Sequence, residues 1–314
     1  MAKLRVLHLL YSGSEKGGAQ RVAIECAIHN SDLYTSTVKS GGLQKILRNK
    51  SLKSIKFYEL IFSHRFDIIF CSDPRALLFS FFSLRSIFSK KYLILHSDRM
   101  VKYKLLITSF CSLLRVHFLC TTKTQINTFK TPNVCANLVR ICDIPKMKAP
   151  NSKTKNFLYF GRFDKVKNIQ EIIDICADAR KINGELKLIL VGSGDHSFTN
   201  TNGVEVIDHW KSQAQLREIM KNCSFIVNAT NYEGFSLQIM EGLSNGLFPL
   251  VKAKGLIRNY DLPEECILNI ENVIKAINMD ELDWSQFVIN FQKSLIEYLQ
   301  DTEHLKDFIR ARSC

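Results

Sequence analysis

Short apolar runs alternate with longer amphipathic stretches along most of this chain. Leu4–Leu10 is an apolar run of strand length. Glycine-rich residues 12–18 follow, and then a helical pattern over Ala19–His29. Asp67–Cys71 and Tyr92–His96 predict two further buried strands, with a helix over Ala76–Phe88 between them. The second half is more regular. Strands are predicted at Asn156–Phe160, Leu186–Val191, Val204–Ile207, Ser224–Asn228 and Phe248–Val251. Helices are predicted at Ile169–Ile182, Gln213–Asn222 and Leu237–Asn245. Strands that alternate with helices at this spacing imply an α/β fold of parallel sheets with helices on both faces.

The 314 residues suffice for two domains. The sharpest change of composition is Asp143–Asn156, with two prolines, four lysines and no aromatic residue, and it reads as a linker. The expected domains are therefore 1–150 and 151–314, with the last helix a candidate to pack back on the first. Two such units leave a cleft, and open α/β sheets bind ligands at the carboxyl ends of their strands.

Composition narrows the function. No apolar run reaches the roughly 18 residues of a membrane-spanning helix, because Arg85 closes Leu77–Leu84 and Arg115 closes Leu105–Leu114. The N-terminus does not read as a secretory signal. Ten cysteines lie scattered without a C-x-x-C pair or zinc spacing. They read as buried apolar side chains of a protein in a reducing, cytoplasmic compartment. Residues 1–150 hold 24 Lys/Arg against 8 Asp/Glu, and residues 151–314 hold 19 against 22, so net charges of +16 and −3 divide the chain. The basic half implies an anionic partner: a phospholipid surface, a phosphorylated acceptor or nucleic acid. No helix-turn-helix or RNA-recognition signature is present, which disfavours nucleic acid.

Three segments carry candidate chemistry. In Asn228–Gly246 a strand end leads into Glu233-Gly234-Phe235-Ser236 and a helix, with Glu241 eight positions after Glu233. Gly234 permits close backbone approach. The amides of Phe235, Ser236 and Leu237 at the helix start suit a diphosphate or a sugar hydroxylate. Eight residues is just over two helical turns, which predicts Glu233 and Glu241 on one face. Their plain alternative is a solvated acidic helix start. In Phe160–Asn168, a strand ends at Gly161 with Arg162 beside it and Lys167 five residues on. Two cations there can clamp a leaving diphosphate, or they are ordinary loop charge. Ser12–Val22 sets Gly17 and Gly18 after the first strand. It is neither G-x-G-x-x-G nor a P-loop, which disfavours NAD enzymes and P-loop ATPases.

In this order and spacing, the three segments resemble the retaining glycosyltransferases of family GT4, which have the GT-B fold: two Rossmann-like domains whose parallel sheets face an interdomain cleft. Glu233 to Glu241 matches the family's E-x7-E element. Gly161-Arg162 with Lys167 matches its Gly-Arg…Lys element, and Gly17–Val22 its N-terminal Gly-Gly loop. The likeness is convincing over residues 156–252, fair over the first 30 and weak between 30 and 140.

The resemblance implies a role for each matched residue. Arg162 and Lys167 hold the donor diphosphate, next to Gly161. Glu241 binds the nucleotide ribose. Glu233, with the backbone of Gly234, Phe235, Ser236 and Leu237, contacts the donor sugar and phosphates. Gly17 and Gly18 line the donor-phosphate and acceptor side. His96 matches the family's histidine beside the reacting sugar, its plain alternative being a strand-end histidine. Gly192 and Gly194 occupy the Val-Gly-x-Gly position near the base. The implied reaction is front-face transfer with retention, without a cofactor or metal, from a nucleotide sugar (UDP first, GDP second) to a surface-polysaccharide or lipid-linked glycan acceptor. A GT-B relative without transferase activity, an epimerase or an inactive partner subunit, is the alternative.

Two departures stand out. After Gly246 the chain reads Leu-Phe-Pro-Leu-Val, one residue longer than the family's usual segment, and the usual glycine pair is reduced to Lys254-Gly255. Leu77–Phe88 and Lys102–Arg115 combine Phe/Leu-rich faces with flanking Lys and Arg, a pattern of core helices or of interfacial segments. With the charge of that half, peripheral association with the inner face of an anionic cytoplasmic membrane is the expectation.

Overall fold

The computed structural model describes residues 5–12, 33–39, 62, 65–96, 102–129, 136–140, 146–150, 153–194, 198–208, 212–233, 235–252, 254–301, 303–304 and 307–308. Gly17, Gly18, Gly234 and the expected helix Ala19–His29 lie outside the described residues. The chain forms two compact units, Met1–Asp143 with Asp301–Cys314, and Ile144–Gln300.

The first unit contains β1 (Val6–Ser12), β2 (Leu33–Lys39), β3 (Ile68–Cys71), α1 (Pro74–Ser80), β4 (Lys90–Leu95), α2 (Lys104–Leu113), β5 (His117–Cys120), α3 (Lys123–Thr128) and β6 (Ala136–Arg140). The second contains β7 (Asn156–Phe163), α4 (Ile169–Ile182), β8 (Lys187–Gly194), β9 (Val204–Asp208), α5 (Gln213–Lys221), β10 (Phe225–Asn228), α6 (Leu237–Ser244), β11 (Phe248–Val251), α7 (Lys254–Asn259), α8 (Ile270–Asn278) and α9 (Glu281–Gln300). A last short strand, β12 (Glu303–His304), pairs with β6, so the tail returns to the first unit. The sheet orders are β12-β6-β5-β4-β3-β1-β2 and β11-β10-β7-β8-β9, and the pairings within both are parallel.

The central strands are apolar on both faces, as buried parallel strands must be. In the first unit Leu7, Leu9, Ile69, Leu93, Leu95 and Phe118 form one core with Ala76 and Leu77 of α1 and Ile107 and Cys111 of α2. Phe70 and Tyr92 project among the intervening residues and pack on Phe308 of the returning tail, at ring-centroid distances of 6.3 and 5.3 Å. The last long helix, α9, stays with the second unit. It buries Trp284, Val288, Phe291 and Leu295, and Phe291 meets Phe248 of β11 at 5.6 Å.

The helix expected over Ala76–Phe88 ends at Ser80. The Ser80 hydroxyl donates to the Leu77 carbonyl at 2.6 Å, a back-bond that competes with the helical ladder. The chain then turns through a short 3-10 segment at Leu84–Ser86. Lys91 secures the turn from below: its ammonium donates to the carbonyls of Ile87 and Ser89 at 3.0 and 3.4 Å and lies 4.8 Å over the Phe81 ring. Part of the expected linker is also bound. The Lys148 amide donates to Ser244 O at 2.9 Å, Gln292 Nε2 donates to Lys148 O at 2.8 Å, and Pro150 sits where a side chain on Gly246 would fall. Pro249 is accommodated because β11 is the sheet edge.

Cys71, Cys111, Cys120, Cys176, Cys223 and Cys266 are buried thiols. Burial pushes the thiols of Cys71, Cys111, Cys176 and Cys223 up to about 12, which makes them packing groups and not nucleophiles.

Phe225 is the keystone ring of the second sheet, stacked on Phe157 at 4.5 Å and edge-on to Phe248 at 6.0 Å. Replacing it with Ala should cost about 3–5 kcal/mol, read as a lowered thermal unfolding transition. A transition within a degree of the parent's would refute this account of the core.

Candidate functional site

The best-formed polar constellation of the second unit lies at the carboxyl ends of β7, β8 and β10. β7 does not stop at Phe160. It continues through Gly161-Arg162-Phe163, paired residue by residue with Gly192-Ser193-Gly194 of β8. This extension depends on the glycines. A side chain on residue 192 would overlap the Gly161 carbonyl, and one on residue 194 would overlap that of Phe163. Gly161, Gly192 and Gly194 thus let two backbones meet at the strand ends.

Around that edge three cations are answered by carboxylates. Lys167 Nζ lies 2.8 Å from Glu233 Oε2, a half-buried pair that spans 66 residues of sequence. Arg162 Nη1 lies 3.2 Å from Asp164 Oδ2. Lys252, just after β11, donates to both oxygens of Glu171 at 2.6 and 2.7 Å. Asp164 Oδ1 and the Thr230 hydroxyl are buried without a hydrogen-bond partner among the described residues. Such atoms cost stability unless a ligand or water completes them.

A layer that the sequence reading did not single out holds these groups. Asn168 adopts the left-handed conformation (φ 49°), begins α4, and donates from Nδ2 to Ala229 O at 3.1 Å. Asn228, fully buried at the end of β10, donates to Gln238 Oε1 at 2.8 Å and accepts from the Thr230 amide at 2.9 Å. Gln238 Nε2 closes the ring on Val227 O at 3.1 Å. Tyr159 donates from its hydroxyl to Arg162 O at 2.8 Å. Burial, reinforced by the carboxylates of Asp164 and Glu233, raises the Tyr159 pKa, so the phenol stays protonated as that donor. An asparagine ending a buried strand is the one sequence signal that pointed to this layer.

The helix start differs from expectation in one respect. α6 begins at Leu237 with Ser236 as its N-cap, whose hydroxyl accepts from the Ile239 amide at 3.4 Å. Glu233 therefore precedes the helix, and the eight-residue spacing to Glu241 is not a helical one. Glu241 sits within α6, half-buried, with its carbonyl accepting from Asn245. Ser236 is buried, its carbonyl accepting at 3.4 Å from Tyr260, and Phe235 packs on Tyr298 and Tyr260 at 6.1 and 5.9 Å. The amides of Leu237 and Gln238 have no intrahelical acceptor, as at any helix start.

His96 belongs to the first unit, where it follows β4. Its Nε2 is buried without a partner among the described residues, and burial pushes its pKa down to about 4. His8, fully buried in β1, shares a 2.7 Å hydrogen bond with Ser72 Oγ through Nε2, and its Nδ1 is unpartnered among the described residues. Burial, with a contribution from His96, pushes its pKa down to about 3. Among the described residues no three His, Cys, Asp or Glu side chains converge as metal ligands do, and no helix is long and apolar enough to cross a membrane.

The model of the family described as glycosyl transferases group 1 matches residues 142–265, which contain all of the second unit's candidate residues. Among curated proteins, the chain is 22% identical over 147 residues to an uncharacterized glycosyltransferase, YqgM, of Bacillus subtilis (strain 168), covering 44% of this chain and 41% of that one. It is 27% identical over 121 residues to a GDP-mannose:cellobiosyl-diphosphopolyprenol alpha-mannosyltransferase of Xanthomonas oryzae pv. oryzae (strain PXO99A), covering 35% of this chain and 32% of that one. The matches thus span less than half the length of these relatives. Among solved structures, Anabaena Alr3699/HepE in complex with UDP-glucose superposes with a TM-score of 0.74 at 15% identity over 95% of this chain and 97% of that one. The pneumococcal O-GlcNAc transferase GtfA, in complex with UDP and GlcNAc, gives 0.67 at 9% identity over 96% and 98%. The fold is the GT-B fold of these glycosyltransferases.

Buried neutral histidines make stability depend on pH. The unfolded chain binds a proton near pH 6.5 that folded His8 refuses down to about 3. Stability should therefore be full above about pH 6.5 and fall with acidification, by roughly 1.4 kcal/mol per pH unit for one such group. Thermal unfolding between about pH 4 and 7 should show this slope, and the His8→Phe/Ser72→Ala chain should show a shallower one. Equal slopes would refute the assignment.

Proposed function

We propose that this chain is a GT4-type retaining glycosyltransferase. It moves a hexose or N-acetylhexosamine from a nucleotide sugar to a surface-polysaccharide or lipid-linked glycan acceptor, in the cytoplasm and without a metal or other cofactor. The observation that carries this reading is the Lys167–Glu233 pair at 2.8 Å, set at the strand ends beside Arg162 and the start of α6. An ammonium, a guanidinium and a helix N-terminus at one edge suit a diphosphate.

In this reading the donor exchanges partners with the protein. Its diphosphate takes Lys167 and Arg162 from their carboxylates, and Glu233, released, accepts hydrogen bonds from the sugar hydroxyls. Glu241 accepts from the ribose hydroxyls. As the bond from C1 to the phosphate oxygen breaks, the two cations and the amides at the start of α6 stabilise the growing charge. The acceptor oxygen bonds to C1 on the face the phosphate leaves, and its proton passes to the departing phosphate oxygen. No protein nucleophile is then required, and retention follows. His96, neutral at physiological pH and with Nε2 unpartnered among the described residues, takes the role of the family's donor-sugar histidine.

The ligands bound by the structural relatives favour UDP, and the Xanthomonas relative keeps GDP as the second choice. A panel of UDP, GDP, ADP, CMP and their sugars should single out one nucleotide. At about 100 times its dissociation constant it should add roughly 2.7 kcal/mol to stability, and Glu241→Ala and Lys167→Ala should abolish the shift. No binding by any nucleotide would reduce the reading to one of fold. With donor and acceptor together, Lys167→Ala should lower turnover by about 10²–10³-fold, measured as nucleotide released. Release that does not depend on an acceptor would favour a non-transferring relative.

A further inference from the structure

The first unit displays an apolar surface that its own fold leaves uncovered. β3, β4 and β5 are neighbours in that order, joined through α1 and α2. Right-handed crossovers that progress in one direction place both helices on the same sheet face, and the two share one core cluster. The outer side of α2 is inverted relative to an ordinary surface helix. Leu105, Leu106 and Leu113 are 81%, 72% and 80% exposed. At about 100° per residue they fall within a single stripe opposite Ile107 and Cys111. The turn after α1 does the same: Phe82, Leu84 and Phe88 are 60%, 64% and 98% exposed.

This turn is a built feature. The Lys91 ammonium beneath it holds the carbonyls of Ile87 and Ser89 and the ring of Phe81. Folding the turn inward would strand a buried charge. Apolar display on this scale marks an interaction site in a soluble protein.

Charge identifies the occupant. Arg75, Arg85, Lys90, Lys102, Lys104 and Arg115 are exposed around these side chains. Residues 74–116 contain eight Lys/Arg and a single acid, Asp98. Protein interfaces are depleted in lysine at their centres, whereas leucine and phenylalanine flanked by lysine and arginine match the acyl boundary and phosphates of an anionic bilayer. We propose that this face docks the protein on an anionic lipid surface, with Leu105, Leu106, Leu113, Phe82, Leu84 and Phe88 entering the interface and the basic rim meeting the phosphates. The inference is independent of the sugar-transfer reading, since none of these residues belongs to the candidate site.

Flotation of the full chain with phosphatidylcholine vesicles, with and without phosphatidylglycerol, tests it. The bound fraction should rise at least about tenfold on anionic vesicles. It should fall about tenfold in Leu105→Ser/Leu106→Ser/Leu113→Ser and in Arg85→Glu/Lys102→Glu/Lys104→Glu, with the thermal transition and the nucleotide shift unchanged. Equal partition onto both vesicles, partition onto neither, or a triple-serine chain that floats like the parent would overturn it. So would a parent dimer that the triple-serine chain loses, which would assign the face to a second copy of the protein.

Discussion

The backbone carbonyl of Gly161 occupies the space in which any side chain on residue 192 would have to stand, and the candidate site follows from that contact. Because Gly192 and Gly194 have no side chains, β7 and β8 stay paired to their last residues. The extra three residues of β7 carry Arg162 to the sheet edge and set the starting point of the loop that delivers Lys167. Tyr159 holds the Arg162 carbonyl from below, and Asn168 reverses the chain in the left-handed conformation to begin α4. A β-branched or larger side chain at either glycine would part the strands and move every cation downstream.

The site is electrostatically self-contained. Lys167, Arg162 and Lys252 each face a carboxylate of the same unit. Partly exposed pairs of this kind contribute little net stability, so their importance lies in geometry. Each holds a long side chain near the sheet edge at small cost, and each can be exchanged for an anionic ligand. The buried ring of Asn228, Gln238 and Val227 does the opposite work: it fixes the strand-to-helix connection against which the exchange takes place.

The first unit shows a different division of labour. On one side its core packs against α1 and α2, and on the other Phe70 and Tyr92 pack on Phe308. Having secured the core with few residues, notably Ile107 and Cys111 on α2, the fold leaves the remaining leucines of that helix outside. Apolar side chains therefore serve stability on one side of this ten-residue helix, through Ile107 and Cys111, and on the other side three leucines remain available for association.

The sequence alone determined the local order of the second unit. The helix predicted over Ile169–Ile182 and the strand over Phe248–Val251 recur without change, because periodicity is an i to i+4 or i to i+2 property written within a few residues. Local patterning misjudged Ala76–Phe88, where a serine back-bond and a buried lysine ended a helix that apolar spacing would have continued. It also misread the Glu233–Glu241 spacing, because the cap at Ser236 starts the helix after Glu233. Only the tertiary structure could decide that Lys167 meets Glu233, that Asn168 holds Ala229, and that the tail returns to β6. It alone could also decide which leucines of Lys102–Arg115 face water. These are contacts between residues tens to hundreds of positions apart, set by how strands and helices pack, and no local pattern of apolar and polar residues encodes them.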